Sequence, residues 1–212
     1  MSEIREVATG LQFPEGPIAM PNGDVILVEI ARGTLSRVKP DGSVEVVAET
    51  GGGPNGAAIG PDGACYVCNN GGFRWHFKGD KIFPGYQDDD YSGGRIERVD
   101  LETGKVEVLY TECDSHLLRG PNDIVFDKDG GFWFTDHGKI RPRDEDRTGV
   151  YYAKADGSFI TEAIFPIGGP NGIGLSADEK TLYVAETHAG RCWAYEIESP
   201  GKIVRGQGEA PW

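Results

Sequence analysis

The chain has 212 residues, with 21 Lys and Arg against 34 Asp and Glu, so its formal charge is −13. This acidic balance argues against binding to nucleic acid or to anionic membranes, because both depend on clustered Lys and Arg. No run approaches the roughly 18 apolar residues of a membrane span, and the start, MSEIREVATG, lacks the pattern of a secretory signal, so we expect a cytoplasmic protein.

Glycine and proline predict many short strands joined by turns. The 32 glycines and 13 prolines make up about a fifth of the chain, against the roughly 12% that is usual for the pair. They fall between short alternating apolar runs, and no long helical pattern interrupts them. The composition therefore indicates an all-β protein.

A candidate strand, EIREVAT (3–9), precedes a pattern that occurs four times along the chain. Each copy has Pro-Asn-Gly or a variant, an apolar strand, a polar turn and a second apolar strand that ends in a polar residue. The copies are FPEGPIAMPNGDVILVE (13–29), GPNGAAIGPDGACYVCN (53–69), GPNDIVFDKDGGFWFTD (120–136) and GPNGIGLSADEKTLYVAE (169–186). Further strand pairs follow the copies, as in 34–49 and 95–111, so one repeat is four antiparallel strands.

The spacing of the repeats predicts a β-propeller of four-stranded antiparallel blades. Their prolines, at positions 14, 54, 121 and 170, are 40, 67 and 49 residues apart, and a blade takes about 40–45 residues. The long second interval requires an insertion, which 69–94 supplies as an inserted loop or lid. We expect its aromatic residues to cover the channel face. The spacing predicts that the chain, 1–212, is a single propeller domain of about four to five blades.

The repeats also predict that four loops converge at one end of the channel, because the loop entering the innermost strand opens on the same face in every blade. The polar residues of these loops are Glu15, Asn55, Asn122, Asp123 and Asn171. Carboxylate and amide oxygens are the ligands of hard cations such as Ca²⁺ or Mg²⁺. Alternatively, Pro-Asn-Gly is only a turn tripeptide. Glu15 favours a metal, because a turn has no need of glutamate at that position.

Cysteine and histidine give weaker signals. Cys65 and Cys68 form a CxxC in a strand-like run, where residues three apart point to opposite faces, so we predict two buried thiols and no zinc or redox site. His137 and His188 each follow the acidic end of a repeat. They are candidate substrate contacts at the channel mouth, or alternatively solvated loop histidines.

Three motifs in this order resemble those of a known family: FPEGP at 13–17, GPND with DKDGGFWFTD at 120–136, and GPNGIGLSADEKTLYVAE at 169–186. The family is the SMP-30/gluconolactonase/LRE-like family of six-bladed propellers. The resemblance implies a lactonase that hydrolyses sugar-type or related small lactones. It also implies one divalent cation, for which Ca²⁺ is our first expectation, with Zn²⁺, Mn²⁺ or Mg²⁺ as alternatives.

The resemblance assigns roles to residues of this chain. Glu15 and Asn171 correspond to metal ligands, and Asn122 corresponds to a residue that lies near the metal and faces the substrate. The residues expected to contact substrate are Asn55, Asn122, His137 and His188.

The candidates for the base that activates water are Asp123 and Asp136. The family's own metal-binding aspartate, expected in the loop after Asn171, has no counterpart in the remaining sequence. Compared with the six blades that the resemblance implies, the single propeller domain is incomplete at its C-terminus, and a ring lacking its last part has unpaired blade edges. We therefore expect either a fragment or a homo-oligomer that completes itself through another copy.

Two other functions stay open from the sequence. A propeller is a common interaction scaffold, so the chain could be a metal-stabilised binding module without turnover. Related metal propellers also accept phosphotriesters, which makes a phosphotriesterase-like hydrolase the second alternative.

Overall fold

The computed structural model describes residues 4–204 and 206 and consists of β-strands, turns and loops. Within these residues there is no helix long and apolar enough to cross a membrane. Four antiparallel sheets of four strands follow one another along the chain as the blades of a β-propeller. The predicted all-β fold and blade type are confirmed.

The strands follow the chain in order. Blade 1 contains β1 (Pro14–Ala19), β2 (Val25–Glu29), β3 (Thr34–Val38) and β4 (Val44–Glu49). Blade 2 begins with β5 (Pro54–Ile59) and β6 (Cys65–Asn69), is interrupted by β7 (Phe73–Lys78) and β8 (Lys81–Gln87), and continues with β9 (Arg95–Val99) and β10 (Val106–Tyr110). A small pair, β11 (Glu112–Cys113) and β12 (His116–Leu117), leads to blade 3. Blade 3 contains β13 (Pro121–Phe126), β14 (Gly131–Asp136), β15 (Thr148–Lys154) and β16 (Ile160–Ile167). Blade 4 contains β17 (Pro170–Leu175), β18 (Thr181–Glu186), β19 (Arg191–Ser199) and β20 (Lys202–Ile203).

The hydrophobic core forms three clusters, one at each interface between successive blades. Strand β14 shows how one strand serves two interfaces. Phe132 and Phe134 pack in the cluster that contains Tyr66 of blade 2, whereas Trp133 packs with Leu182 of blade 4. Burial of each large side chain contributes about 1.5–3 kcal/mol. Alternation along the strand thus stabilises the stacking of blades on both sides.

Cys65 and Cys68 follow the same alternation. Cys65 lies in the cluster between blades 1 and 2, and Cys68 lies in the cluster between blades 2 and 3. Both are buried free thiols, and burial raises the pKa of Cys65 to about 12. The prediction that both thiols are buried on opposite faces of the strand is confirmed.

The innermost strands of the blades contact one another in series: β1 with β5, β5 with β13, and β13 with β17. Within the described residues, β1 and β17 are the ends of this series and make no comparable contact with each other. Residues 4–10 form no strand. The prediction of a strand at 3–9 is wrong for these residues, and residue 3 lies outside the described part.

The insertion contains a hairpin of β7 and β8, here called the inserted hairpin (73–87). Its base contacts the body of the protein, since the backbone N–H of Gln87 donates to the carbonyl of Ile140 at 2.9 Å. Phe77, Phe83 and Tyr86 remain 70%, 46% and 50% exposed. Those three rings therefore differ from the expectation that all aromatic residues of the insertion pack over the channel.

Candidate functional site

Every innermost strand is irregular at the same place. The proline of each repeat pairs with the polar residue that ends the next strand, and the register then shifts before the strand continues. The pairs are Pro14 with Glu29, Pro54 with Asn69, Pro121 with Asp136 and Pro170 with Glu186. Such a bulge bends the strand and changes the direction of its side chains. The four segments, three Pro-X-Gly and one Pro-Asn-Asp, therefore share one local geometry.

Glycine in these segments allows neighbouring blades to approach backbone to backbone. A Cβ on Gly56 would lie 2.4 Å from the carbonyl oxygen of Asn122, although the φ of Gly56 is not in the left-handed region. A Cβ on Gly16 would lie 2.7 Å from the backbone nitrogen of Ala57. Close approach therefore explains Gly56 better than the turn chemistry that the tripeptide suggests.

The segments meet at a cavity of about 220 Å³. Its lining consists of Glu15, Gly16, Pro17, Asn55, Gly56, Ala57, Asn122, Asp123 and Asn171. The structure thus brings the polar loop residues of all four blades together. Asn55 and Asn122 are buried, whereas Glu15 and Asn171 are exposed.

The polar side chains at this cavity have few partners. The carboxylate of Glu15 accepts one hydrogen bond, from the backbone N–H of Gly16 at 3.3 Å. The side-chain amides of Asn55, Asn122 and Asn171 make no hydrogen bond to another described residue. Such uncommitted oxygen atoms, one carboxylate among neutral amides, fit a hard divalent cation. Across residues 4–204 and 206, no group of three or more His, Cys, Asp or Glu residues could hold a metal by itself.

Asp123 is the second carboxylate at the cavity. It accepts hydrogen bonds from the backbone N–H groups of Ile124 at 2.9 Å and of Ile173 at 3.1 Å. Burial raises the pKa of Asp123, and these two hydrogen bonds oppose the change. The side chain therefore joins blade 3 to blade 4 while it lines the cavity.

Thr135 strengthens the same junction. Its hydroxyl accepts from the backbone N–H of Asp123 at 3.1 Å and donates to the carbonyl of Asn171 at 2.6 Å. Sequence reasoning missed this residue, because a threonine inside an apolar strand has no distinguishing pattern.

Asp136 does not line the cavity and is fully buried. Its carboxylate accepts hydrogen bonds from the backbone N–H groups of Arg119 at 2.7 Å, Gly120 at 2.7 Å and Gly138 at 2.9 Å. Burial raises the pKa of Asp136 to about 6, against the effect of these three donors. The geometry does not support the catalytic role predicted for Asp136, because the carboxylate is committed to backbone groups that burial would otherwise leave unpaired.

The same arrangement recurs in every blade, which explains the polar residue at the end of each repeat. Glu29, Asn69, Asp136 and Glu186 each accept a hydrogen bond from a backbone N–H one or two residues before the proline of their repeat. The donors are Gln12 at 2.7 Å, Gly53 at 2.9 Å, Gly120 at 2.7 Å and Gly168 at 3.2 Å. These four residues therefore hold the loops that carry the cavity residues.

His137 and His188 lie together beside the cavity but do not line it. Their rings are perpendicular, with centroids 5.8 Å apart, and a Cβ on Gly169 would lie within 3.2 Å of both Nε2 atoms. Burial, and secondarily His188, lowers the pKa of His137. Both histidines flank the loop that enters β17, and their contact with substrate stays a prediction.

Lys139 is a buried cation that the sequence did not reveal. Its Nζ donates to the Oδ1 of Asn70 at 2.9 Å and to the carbonyl of Gly72 at 2.7 Å, and it lies 3.8 Å from the ring centre of Phe73. Burial lowers the pKa of Lys139 to about 7. This side chain from blade 3 therefore fastens the base of the inserted hairpin. Its charged, loop-like sequence context gave no sign of burial.

Comparison with known proteins adds a sequence relationship to this geometry. Residues 13–208 match the family model described as SMP-30/Gluconolactonase/LRE-like region. The lactonase drp35 of Staphylococcus saprophyticus is 31% identical over 197 residues, which cover 92% of this chain and 54% of that protein. The gluconolactonase of Zymomonas mobilis is 27% identical over 222 residues, which cover 93% of this chain and 56% of that protein. The chain thus spans about half the length of these curated relatives.

Solved structures show the same fold. A gluconolactonase from Xanthomonas campestris superposes with a TM-score of 0.70 at 23% identity, over 91% of this chain and 61% of that one. A virginiamycin B lyase from Staphylococcus aureus superposes with a TM-score of 0.59 at 20% identity, over 91% of this chain and 58% of that one. Because the two differ in activity, the shared fold does not decide the reaction.

Proposed function

The chain belongs to the SMP-30/gluconolactonase/LRE-like family, and we propose on that basis that it hydrolyses small sugar-type lactones with the help of one divalent cation. The main supporting observation is that four equivalent loops bring Glu15, Asn55, Asn122 and Asn171 to one polar cavity. The two relatives described above are a lactonase and a gluconolactonase, which supports the same class of reaction.

Glu15, Asn122 and Asn171 would hold the cation, and Ca²⁺ fits this donor set best. Hard cations take carboxylate and amide oxygens, and these three side chains have no competing side-chain partner among the described residues. When bound, the cation would polarise the lactone carbonyl and stabilise negative charge on its oxygen.

Asp123 is the best candidate for the base. It is the only carboxylate at the cavity besides Glu15 within the described residues. Burial raises its pKa, which makes its carboxylate a stronger base than that of an ordinary aspartate. Its backbone hydrogen bonds fix the orientation of both oxygens, and each oxygen keeps a second lone pair. Asp123 would accept the proton of the attacking water.

The cavity favours a small substrate. Its volume of about 220 Å³ lies below the roughly 300–1,000 Å³ of sites for drug-sized ligands. Asn55 and Asn122 would donate hydrogen bonds to ring hydroxyls, since both line the cavity and their amides make no hydrogen bond to another described residue. This arrangement favours a polar ring such as a sugar lactone.

A chelation and add-back experiment tests the proposal. We expect the chain to release acid from gluconolactone, to lose this activity in EDTA, and to regain it with Ca²⁺. Glu15→Gln should abolish the metal-dependent rate and weaken calcium binding. Glu107→Gln is the matched control, because Glu107 is exposed on the outermost strand of blade 2 and its side chain makes no hydrogen bond or ion pair with another described residue.

The same experiment separates the alternatives. Calcium-dependent thermal stability without turnover would favour a binding scaffold. Metal-dependent cleavage of a phosphotriester, with no cleavage of lactones, would favour a phosphotriesterase-like hydrolase. Cytoplasmic location, absence of nucleic-acid and membrane partners, and self-association through blade edges stay predictions.

A further inference from the structure

The residue before the proline differs in blade 1. Blades 2, 3 and 4 have Gly53, Gly120 and Gly169 at this position, whereas blade 1 has Phe13. Phe13 adopts a φ of 57°, close to the 60° of Gly169. A bulky residue in the left-handed region is a conformational outlier, and a following proline restricts it further. Blade 1 therefore has a phenylalanine in a conformation that favours glycine, one that Gly169 shares and that Gly53 and Gly120 do not adopt.

The ring of Phe13 packs on the inserted hairpin. Its centroid lies 5.2 Å from that of Trp75, which in turn lies 5.8 Å from that of Phe73. Phe73 in turn packs against the buried Nζ of Lys139, 3.8 Å from the ring centre. The hairpin thus connects the loop of blade 1 to the body of blade 3 through aromatic contacts. Such contacts offset the cost of the unfavourable backbone conformation.

Phe13 lies two residues before Glu15, and the position of the Glu15 carboxylate depends on the backbone. Its one hydrogen bond is to the neighbouring N–H of Gly16, and no other side chain of the described residues holds it. Glu15 also differs from its repeat equivalents Asn55, Asn122 and Asn171, since it carries the charge. A structural element that fixes only the loop of blade 1 would therefore fix Glu15, which is the one charged ligand of the proposed metal site.

We propose that the inserted hairpin is a positioning element for the metal-binding carboxylate: Trp75 holds Phe13 in its left-handed conformation and so fixes Glu15 in the cavity. The inference rests on the proposed metal site. Trp75 and Phe13 are positioning residues, which act on the cation through the backbone of Glu15.

Calcium titration of the chelator-treated full chain by calorimetry tests the inference without any assay of activity. Trp75→Ala should weaken calcium binding about tenfold, which is a modest change in free energy. Trp75→Phe, which keeps a ring, should restore most of the affinity. Phe77→Ala is the matched control and should bind calcium like the unmodified chain, because Phe77 lies on the same strand and is 70% exposed.

Phe13→Gly tests whether Trp75 acts on Glu15 through Phe13. It also provides a second test in case Trp75→Ala does not fold. Glycine tolerates the left-handed conformation, so the fold should persist, as thermal melting would verify, while calcium binding weakens to the same degree. Adding Trp75→Ala to Phe13→Gly should then have no further effect. An unchanged affinity in Phe13→Gly, or an equal loss from Trp75→Ala in both backgrounds, would overturn the inference.

The outcomes also distinguish this inference from the proposed function. If the unmodified chain binds calcium and Trp75→Ala binds it equally well, the positioning role is wrong and the metal site stands. If the unmodified chain binds no divalent cation, the proposed function and the inference fail together.

Discussion

The carboxylate of Asp123 accepts a hydrogen bond from the backbone N–H of Ile173, 3.1 Å away across the interface between blades 3 and 4. The same repeat position holds glycine in the other blades, and Gly16 there approaches the backbone nitrogen of Ala57, the equivalent of Ile173. Blade 3 thus replaces a direct backbone approach with a carboxylate bridge. This bridge gives the cavity its second acidic group.

Asp123→Asn separates the chemical role of the carboxylate from its structural role. One amide oxygen can replace one acceptor, so we expect the free energy of unfolding to fall by only about 1 kcal/mol. Loss of a general base should reduce kcat about 100-fold or more. Steady-state kinetics and urea unfolding measure the two effects. A stability loss with unchanged kcat would show that Asp123 only bridges the blades.

Asp136→Ala should damage the fold. It leaves the N–H groups of Arg119, Gly120 and Gly138 without their acceptor, and each buried unpaired group costs about 1–3 kcal/mol. We expect the free energy of unfolding to fall by roughly 3 kcal/mol or more, as measured by chemical denaturation. Asp129→Ala, at an exposed position of the same blade, is the control and should be nearly neutral. Comparable effects for the two variants would contradict the loop-holding role.

Gly56→Ala should push the backbones of blades 2 and 3 apart, because the new Cβ would lie 2.4 Å from the carbonyl oxygen of Asn122. We expect a loss of about 1–3 kcal/mol in the free energy of unfolding, as for other overpacked sites. Gly172→Ala is the matched control at the same repeat position, where the nearest atoms would lie 3.9 Å from the new Cβ. Its stability should be unchanged or slightly higher. Equal melting temperatures for the two variants would argue against the close approach.

Lys139 should make stability rise with pH. Burial lowers its folded-state pKa to about 7 from the ordinary value of 10.5, while Asp136 and Asp146 oppose the change. Between these values the unfolded chain binds a proton that the folded chain lacks, so raising the pH favours the folded state. Relative to Lys139→Met, the unmodified chain should gain roughly 1 kcal/mol per pH unit from pH 7 to pH 9. Urea unfolding at several pH values measures this difference. A flat or falling difference would mean that Lys139 stays charged.

The repeats and their loops were predictable because they follow from local chemistry. Alternating apolar residues predict strands, and turn residues at regular spacing predict their connections. Four equivalent loops in one fold share one end of the channel, which predicts that Glu15, Asn122 and Asn171 lie close together. The sequence also shows the polar residue that ends each repeat. It does not show whether the side chain of that residue faces the cavity or the backbone of the loop.

Tertiary structure alone decided which polar groups face the cavity and which hold the loops. Asp123 and Asp136 are both acidic residues of one blade, yet the strand bulge and the interface with blade 4 bring Asp123 to the cavity and leave Asp136 committed to backbone N–H groups. The contacts of Phe13 with Trp75 and of Lys139 with Asn70 join residues far apart in the sequence. The periodicity of apolar residues does not predict such contacts, because they depend on how separate blades pack against each other.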